Sequence, residues 1–195
     1  ILVGTQMVTK GLDFDHVRVV GILDADSLLN FPDFRAFERS FQLMLQVSGR
    51  AGRKNKRGKV IIQTYDKSHP VIQDVIEHNY RHLYSHQMGE RKMFLYPPYY
   101  RLVKISLKHK QQDKAKQAAQ LLAKFLRQRF GKRVLGPQPP LIARVQNMYI
   151  EEIMLKLERT MPVKQSRGLI REALHELEQS SGMKSVRIAI DVDPA

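Results

Sequence analysis

Two guanidinium groups three residues apart, each directly after a glycine, are the side chains of this sequence best equipped for chemistry. They lie in Gln46-Val47-Ser48-Gly49-Arg50-Ala51-Gly52-Arg53, which reads Q-x-x-G-R-x-G-R. A guanidinium is planar, permanently charged and matches two phosphate oxygens at once. Glycine lets a backbone turn sharply and come close to a bulky anion. The pattern therefore suits stabilisation of phosphate charge; the plainer alternative is a basic loop after a surface helix. A second glycine-bearing stretch, Gly4-Thr5-Gln6-Met7-Val8-Thr9-Lys10-Gly11-Leu12-Asp13-Phe14, follows the apolar run Ile1-Leu2-Val3. Open α/β sheets hold ligands in loops of this kind, beyond the carboxyl ends of their strands. Asp24 and Asp26 are close enough for acid–base work, although a turn at a strand end is the favoured reading. His78, His82 and His86 recur at i, i+4 and i+8, a spacing at which two imidazoles could share a metal. No cysteine or ordered carboxylate set completes that site, and no metal ligand is assigned.

The elements that must position these groups follow from apolar spacing. Residues 1–66 read strand, loop, strand, helix, loop, strand, with Val17–Leu23 and Val60–Tyr65 as apolar, β-branched runs. Phe34, Phe37, Phe41, Met44 and Leu45 recur at helical spacing just before the arginine motif. Strands alternating with a helix predict a parallel α/β sheet. Ser68, with Pro70 in the first turn, predicts a helix running to about Met93. Leu95-Tyr96-Pro97-Pro98 then marks a boundary, because two prolines cannot continue a helix. Beyond it come a strand at Leu102–Leu107, a helix over Ala115–Phe130 and a turn cluster at Leu135-Gly136-Pro137. Strands at Leu141–Tyr149 and Glu152–Glu158, a helix from Met161-Pro162 to Gly182 and a closing strand at Val186–Val192 complete the order. This is β-α-β-β-α-β, the ferredoxin-like pattern. Two domains are expected, 1–96 and 97–195.

The chain of 195 residues carries 33 Lys/Arg against 19 Asp/Glu, a net +14. The excess is uneven, with ten basic and seven acidic residues over 1–66, and 23 and twelve over 67–195. An excess of this size suits a polyanion, nucleic acid first. From Lys108 to Arg133, nine basic residues oppose only Asp113. Lys108 and Lys110 are candidate phosphate contacts, and Tyr99, Tyr100 and Tyr149 could stack bases or fill the core. There is no cysteine, which excludes disulfides and thiolate metal sites in this sequence and fits a reducing cytoplasm. No run of eighteen apolar residues is present, so no membrane span is expected. The sequence opens inside an apolar run, so a longer parent is expected.

The order strand, G-T-Q-x-x-x-K-G-x-D-F, strand, D-x-D, helix, Q-x-x-G-R-x-G-R resembles motifs V and VI of superfamily 2 helicases. Asp33-Phe34-Arg35-Ala36-x-Glu38-Arg39, Gly58-Lys59-Val60-Ile61-Ile62-Gln63-Thr64 and the terminal Asp191-Val192-Asp193-Pro194 resemble the primosomal protein N-prime (PriA) family of bacterial replication-restart DNA helicases. The resemblance covers nearly the whole chain. It implies the distal part of a RecA-like motor lobe followed by a ferredoxin-like DNA-binding domain. It also implies an ATP- and magnesium-dependent 3′-to-5′ helicase that acts on stalled, forked and single-stranded DNA in the cytoplasm. Single-stranded DNA-binding protein and other primosome proteins are its implied partners. By resemblance, Arg53 is the arginine finger, Arg50 its partner, and Gln46 the group that reads lobe closure. Gly11, Asp13 and Gly49 would lie by the nucleotide; Thr5, Gln6 and Lys10 would face the DNA. The plainer alternative for Thr5 and Asp13 is a loop cap and a turn cap. The phosphate loop and magnesium carboxylates of such motors sit on the other lobe, and neither G-x-x-x-x-G-K-[ST] nor D-E-x-H occurs here. ATP hydrolysis by this chain alone is therefore not expected. The zinc of the family belongs to an upstream cysteine-rich region. The family has an arginine after the tyrosine equivalent to Tyr149; Ile150 stands there, leaving Arg144 and Lys156 as the nearby candidates. A stand-alone basic nucleic-acid-binding module, or another superfamily 2 motor acting on DNA or RNA, are the alternatives.

Overall fold

The apolar runs Val19–Ile22 (β1) and Lys59–Ile62 (β2) pair as a parallel two-stranded sheet, with Val20 opposite Val60 and Ile22 opposite Ile62. These features are seen in a computed structural model that describes residues 1–4, 17–52 and 58–194. Parallel neighbours need a crossover, here two helices, Ala25–Leu29 (α1) and Ala36–Ser48 (α2). Asp24 caps α1 from a left-handed conformation (φ 53°), accepting the Ser27 N–H at 3.2 Å and also bonding its hydroxyl. The Asp26 carboxylate reaches across to the end of β2, accepting the Thr64 hydroxyl and the Tyr65 N–H, each at 3.0 Å. The pair thus shapes a strand-end turn. Ile1-Leu2-Val3, expected to end a buried strand, is unpaired and exposed among the described residues.

The single helix expected from Ser68 to Met93 is two helices, Pro70–Ile76 (α3) and Tyr80–Met93 (α4). His69, not Ser68, caps α3, its Nδ1 accepting the Val71 N–H at 3.2 Å. His78 takes φ 55°, and Asn79 donates to the Asp74 carbonyl and caps α4 by accepting the His82 N–H. A side chain that caps its own backbone competes with continuous helix, so Asn79 breaks the periodic run. The break removes His78 from the helical histidine stripe, and His82 Nδ1 lies 2.7 Å from the buried Asp74 carboxylate. Phe41 and Met44 of α2 pack with Ile22, Val71, Ile72, Val75 and Leu83 as the core of this part.

The chain divides into two units, Ile1–Glu90 and Arg91–Ala195. In the second, Tyr100–His109 (β3), Gln112–Phe130 (α5), a 3-10 turn at Gly131–Arg133, Val134–Gln138 (β4), Arg144–Val145 (β5), Met148–Glu158 (β6), Val163–Gln179 (α6) and Arg187–Val192 (β7) follow in order. The sheet runs β4-β6-β3-β7, every pairing antiparallel, with β5 beside β6. Val103, Ile105 and Leu107 alternate along β3 and face the same way as Ile153, Leu155 and Leu157 of β6. Ala118, Ala119, Leu122, Leu126 and Phe130 of α5, with Ile170, Ala173 and Leu177 of α6, close over that face. The other face carries Lys104, Ser106 and Lys108 opposite Met154, Glu152 and Ile150.

Two strand assignments need correction. Leu135-Gly136-Pro137, read as a turn, lies inside β4, while the strand expected at Leu141–Tyr149 shrinks to Arg144–Val145, and β6 begins at Met148. Proline is tolerated on an edge strand at a bulge, and the register shifts between Leu135 and Gln138. Gly136 has φ 85°, and a Cβ there would meet the Glu152 carbonyl oxygen at 2.8 Å, so only glycine lets the strands approach. Gln146 (φ 48°) and Asn147 (φ 60°) are both left-handed, as a two-residue hairpin turn requires.

Candidate phosphate and nucleic-acid sites

Gln46 lies exposed on the last turn of α2, whose base is fixed by the fully buried Met44. Ser48 Oγ donates to the Met44 carbonyl at 2.6 Å, and Gly49 N–H to Leu45 at 2.9 Å. The chain then peels away by short turns, Arg50 N–H to Val47 and Ala51 N–H to Ser48. Gly52 N–H donates to the Val17 carbonyl at 3.1 Å, clamping the motif to the residues leading into β1. Gly58, on the way into β2, crosses so close that a Cβ would lie 2.4 Å from Gly52 N. The half-buried Arg50 therefore stands on a stiff post between helix end and sheet. That is how a guanidinium is preplaced for charge developing on an anion. Arg53 lies outside the described residues, as do Thr5, Gln6, Lys10, Gly11 and Asp13. A cavity of about 580 Å³ beside β2 is lined largely by apolar groups, Val60, Ile62, Ile72, Val75 and Ile76 among them; neither Gln46 nor Arg50 lines it.

In the second unit, the basic run of the sequence is partly neutralised by carboxylates distant in sequence. Arg129 of α5 bonds Glu172 at 3.4 Å and also Glu176, both on α6. Arg133 bonds Glu158 of β6 at 2.7 Å, which raises the guanidinium's pKa and lowers the carboxyl's. Arg127 donates to the Gly136 carbonyl. These three cations join elements, and nothing local in the sequence announces their partners. Lys108 is half-buried on the face of the sheet away from the helices, opposite Ile150 and Arg187, and Lys110 is exposed in the loop before α5. Arg144 holds its guanidinium 5.0 Å over the Tyr149 ring and donates to Asn147 Oδ1 at 3.1 Å. Lys156 is engaged differently. Its ammonium donates to the Phe94 carbonyl at 2.6 Å and sits 3.7 Å from the Tyr96 ring centre, and burial lowers its pKa. Arg159, which the sequence reading did not single out, donates to the Pro98 carbonyl at 3.2 Å. Lys156 and Arg159 therefore strap residues 94–98 onto the sheet.

Residues 92–195 match the family model described as the primosomal protein N C-terminal domain. The chain belongs to this primosomal protein N family. Over its whole length it is 42% identical to the replication restart protein PriA of Bacillus subtilis, 41% to that of Synechocystis and 39% to that of Treponema pallidum. It covers 24%, 23% and 29% of those proteins, so it spans about a quarter of the relatives it matches. No helix among the described residues is long and apolar enough to cross a membrane.

The primosomal C-terminal domain also holds a carboxyl that no motif explains. Glu151, opposite Leu107 on the helix-covered side of the sheet, is only 6% exposed. Burial pushes its pKa up, and the charge of Lys116 offsets only part of that. A carboxyl with a raised folded-state pKa favours its protonated form when folded. The domain therefore loses stability as pH rises from the ordinary carboxyl range through that raised value. We expect Glu151→Gln to be more stable than the parent at pH 7, with the advantage vanishing below about pH 4. Urea unfolding of both proteins across this pH range checks it; equal stabilities throughout would show that the carboxylate is solvated.

Proposed function

We propose that this chain is the C-terminal part of an ATP-dependent 3′-to-5′ DNA helicase that recognises stalled forks and restarts replication. The observation that carries the proposal is the Arg50 post, a stretch of backbone fixed between a helix end and a parallel sheet that bears a guanidinium, in a chain whose relatives are named replication restart proteins. In this reading residues 1–96 are the distal part of a RecA-like lobe and residues 97–195 a ferredoxin-like DNA-binding domain. The parallel β1–β2 pair with its helical crossover supports the first, and the order β4-β6-β3-β7 supports the second. The partners are forked and single-stranded DNA, single-stranded DNA-binding protein and other primosome proteins, in the bacterial cytoplasm.

The nucleotide's chemistry is transfer of its γ-phosphoryl group to water, with magnesium held by the other lobe. This chain contributes charge stabilisation. Arg53 meets the developing charge, Arg50 helps hold the phosphate, and Gln46, exposed at the end of α2, registers closure of the lobes. Gly11, Asp13 and Gly49 shape the nucleotide side of the cleft, while Thr5, Gln6 and Lys10 hold DNA phosphates. Zinc belongs to the region upstream, since this chain has no cysteine. On the second domain Lys108, Lys110 and Arg144 are the DNA contacts. Lys156 would join them only by releasing Phe94.

The test uses the chain as it stands. It should bind single-stranded and forked DNA without hydrolysing ATP, and affinity should fall steeply between about 50 and 200 mM salt as phosphate counterions are released. Fluorescence anisotropy over a salt series, with ATPase measured alongside, reads both. Salt-insensitive binding, or ATP turnover by this chain alone, would overturn the proposal.

A further inference from the structure

The hairpin β5–β6 and the segment entering it form a surface that the charge distribution alone does not explain. Leu141 and Ile142 are 80% and 65% exposed, yet they do not sit on a loose tail. The segment is tied at its end, Ile150 N–H to the Ala143 carbonyl at 2.9 Å, and Arg144 pairs with Tyr149 and Val145 with Met148. The left-handed pair Gln146 and Asn147 closes the turn. Within this frame the Arg144 guanidinium lies over the Tyr149 ring and donates to Asn147 Oδ1, so a planar cation follows two bare aliphatic side chains by two and three residues.

The geometry points to a stacking shelf for an unpaired nucleobase at a single-strand–duplex junction. This rests on the DNA-binding reading above and adds where the junction is held. A nucleobase is flat, apolar on its faces and flanked by phosphate. Aliphatic wedges commonly contact such faces at disrupted base steps, and arginine planes stack on unpaired bases. Charge complementarity favours this occupant: from Val134 to Ile150, the whole hairpin turn and its approach, the sequence has no Asp or Glu and carries Arg144. One face of the Tyr149 ring is already taken by Arg144, so the base stacks on the arginine and the aliphatic shelf, with the tyrosine as backing.

The experiment uses this chain and a fork carrying 2-aminopurine as the first unpaired base. Binding should change the probe's fluorescence, and Leu141→Ser with Ile142→Ser should abolish that change. The double variant should also weaken fork binding by roughly tenfold, within the range of one lost stacking contact. Its salt dependence should match the parent's, because no phosphate contact is removed. Arg144→Lys should reduce the fluorescence change while keeping the charge. Both aliphatic side chains are exposed, so an unchanged melting temperature verifies that the variant is folded. A fluorescence change that survives the double substitution overturns the shelf, and so does equal weakening on forked and fully duplex DNA. Either would leave that surface to a protein partner. If the parent chain binds no DNA, the proposed function falls and the shelf with it. If it binds with normal salt dependence and the variant is indistinguishable, only the shelf falls.

Discussion

Replacing Arg53 with alanine in the intact protein will lower DNA-stimulated ATP turnover by roughly 10³–10⁵, the range an arginine finger supplies elsewhere, while leaving DNA affinity nearly unchanged. The expectation comes from the position of Arg53 in Q-x-x-G-R-x-G-R and from the stiffness of what precedes it. α2 is anchored by Met44, Gly52 is bonded to Val17, and Gly58 packs against Gly52 with no room for a Cβ. Donors preplaced where charge develops are the effective ones, and the described part of the motif, up to Gly52, is fixed in this way. Arg53→Lys should fall between alanine and the parent, because a point charge survives but the planar fork does not. Arg50→Ala should differ in kind. Proposed to hold the phosphate before reaction, Arg50 should affect nucleotide affinity as well as turnover. ATPase, nucleotide binding and fork binding measured on the same preparations separate these outcomes. Near-normal turnover in Arg53→Ala would refute the assignment, as would a loss explained wholly by weaker DNA binding.

What the sequence made legible was what local spacing encodes. The parallel strands, α2 and the buried stripes of α5 and α6 follow from apolar residues at periods of two and 3.6. The arginine motif stands out in the sequence because its residues are contiguous, although Arg53 lies outside the described residues. The failures lie where long-range partners decide. Pro137 and Gly136 read as a turn because their local preferences say so; the bulge against Glu152 makes them a strand edge. Asn79 is unremarkable in a helical run until its side chain caps the next helix. Arg129 and Arg133 looked like part of a DNA-binding surface because Glu172, Glu176 and Glu158 are 25 or more residues away in sequence. The contacts of Lys156, a candidate phosphate ligand, with the Phe94 carbonyl and the Tyr96 ring have no local signal either. The candidate DNA surface is thus narrower than the charge count suggests, and it shifts toward Lys110 and the Arg144 hairpin.

Residues 91–195, excised, should unfold in one cooperative transition, and Phe130→Ala should lower their stability by about 3–5 kcal/mol. The expectation of autonomy rests on a closed core: Ile105, Leu122, Leu126, Phe130, Ile153 and Leu155 are fully buried within this unit. Phe130 is the largest of them and ends α5, where Gly131 turns the chain with φ 59° and Arg133 Nη1 donates back to the Phe130 carbonyl at 3.3 Å. Its ring is fully buried in a cluster of side chains from both helices and the sheet, so its removal leaves a cavity whose cost adds to the lost transfer energy. The starting point matters too. Beginning at 98 instead of 91 removes the Phe94 carbonyl and the Tyr96 ring that cover Lys156 and returns its ammonium to water. That shorter version should be less stable by about 1–3 kcal/mol, the loss of one charge-assisted hydrogen bond and one cation–ring contact. Replacing Lys156 with methionine in the longer version should cost a similar amount, since it removes the same two contacts. Urea unfolding followed by circular dichroism on the four proteins measures each difference, with equal m-values confirming that stability alone has changed. A broad, non-cooperative transition for 91–195 would reject its autonomy, and a loss under 1 kcal/mol for Phe130→Ala would reject the tightly packed core.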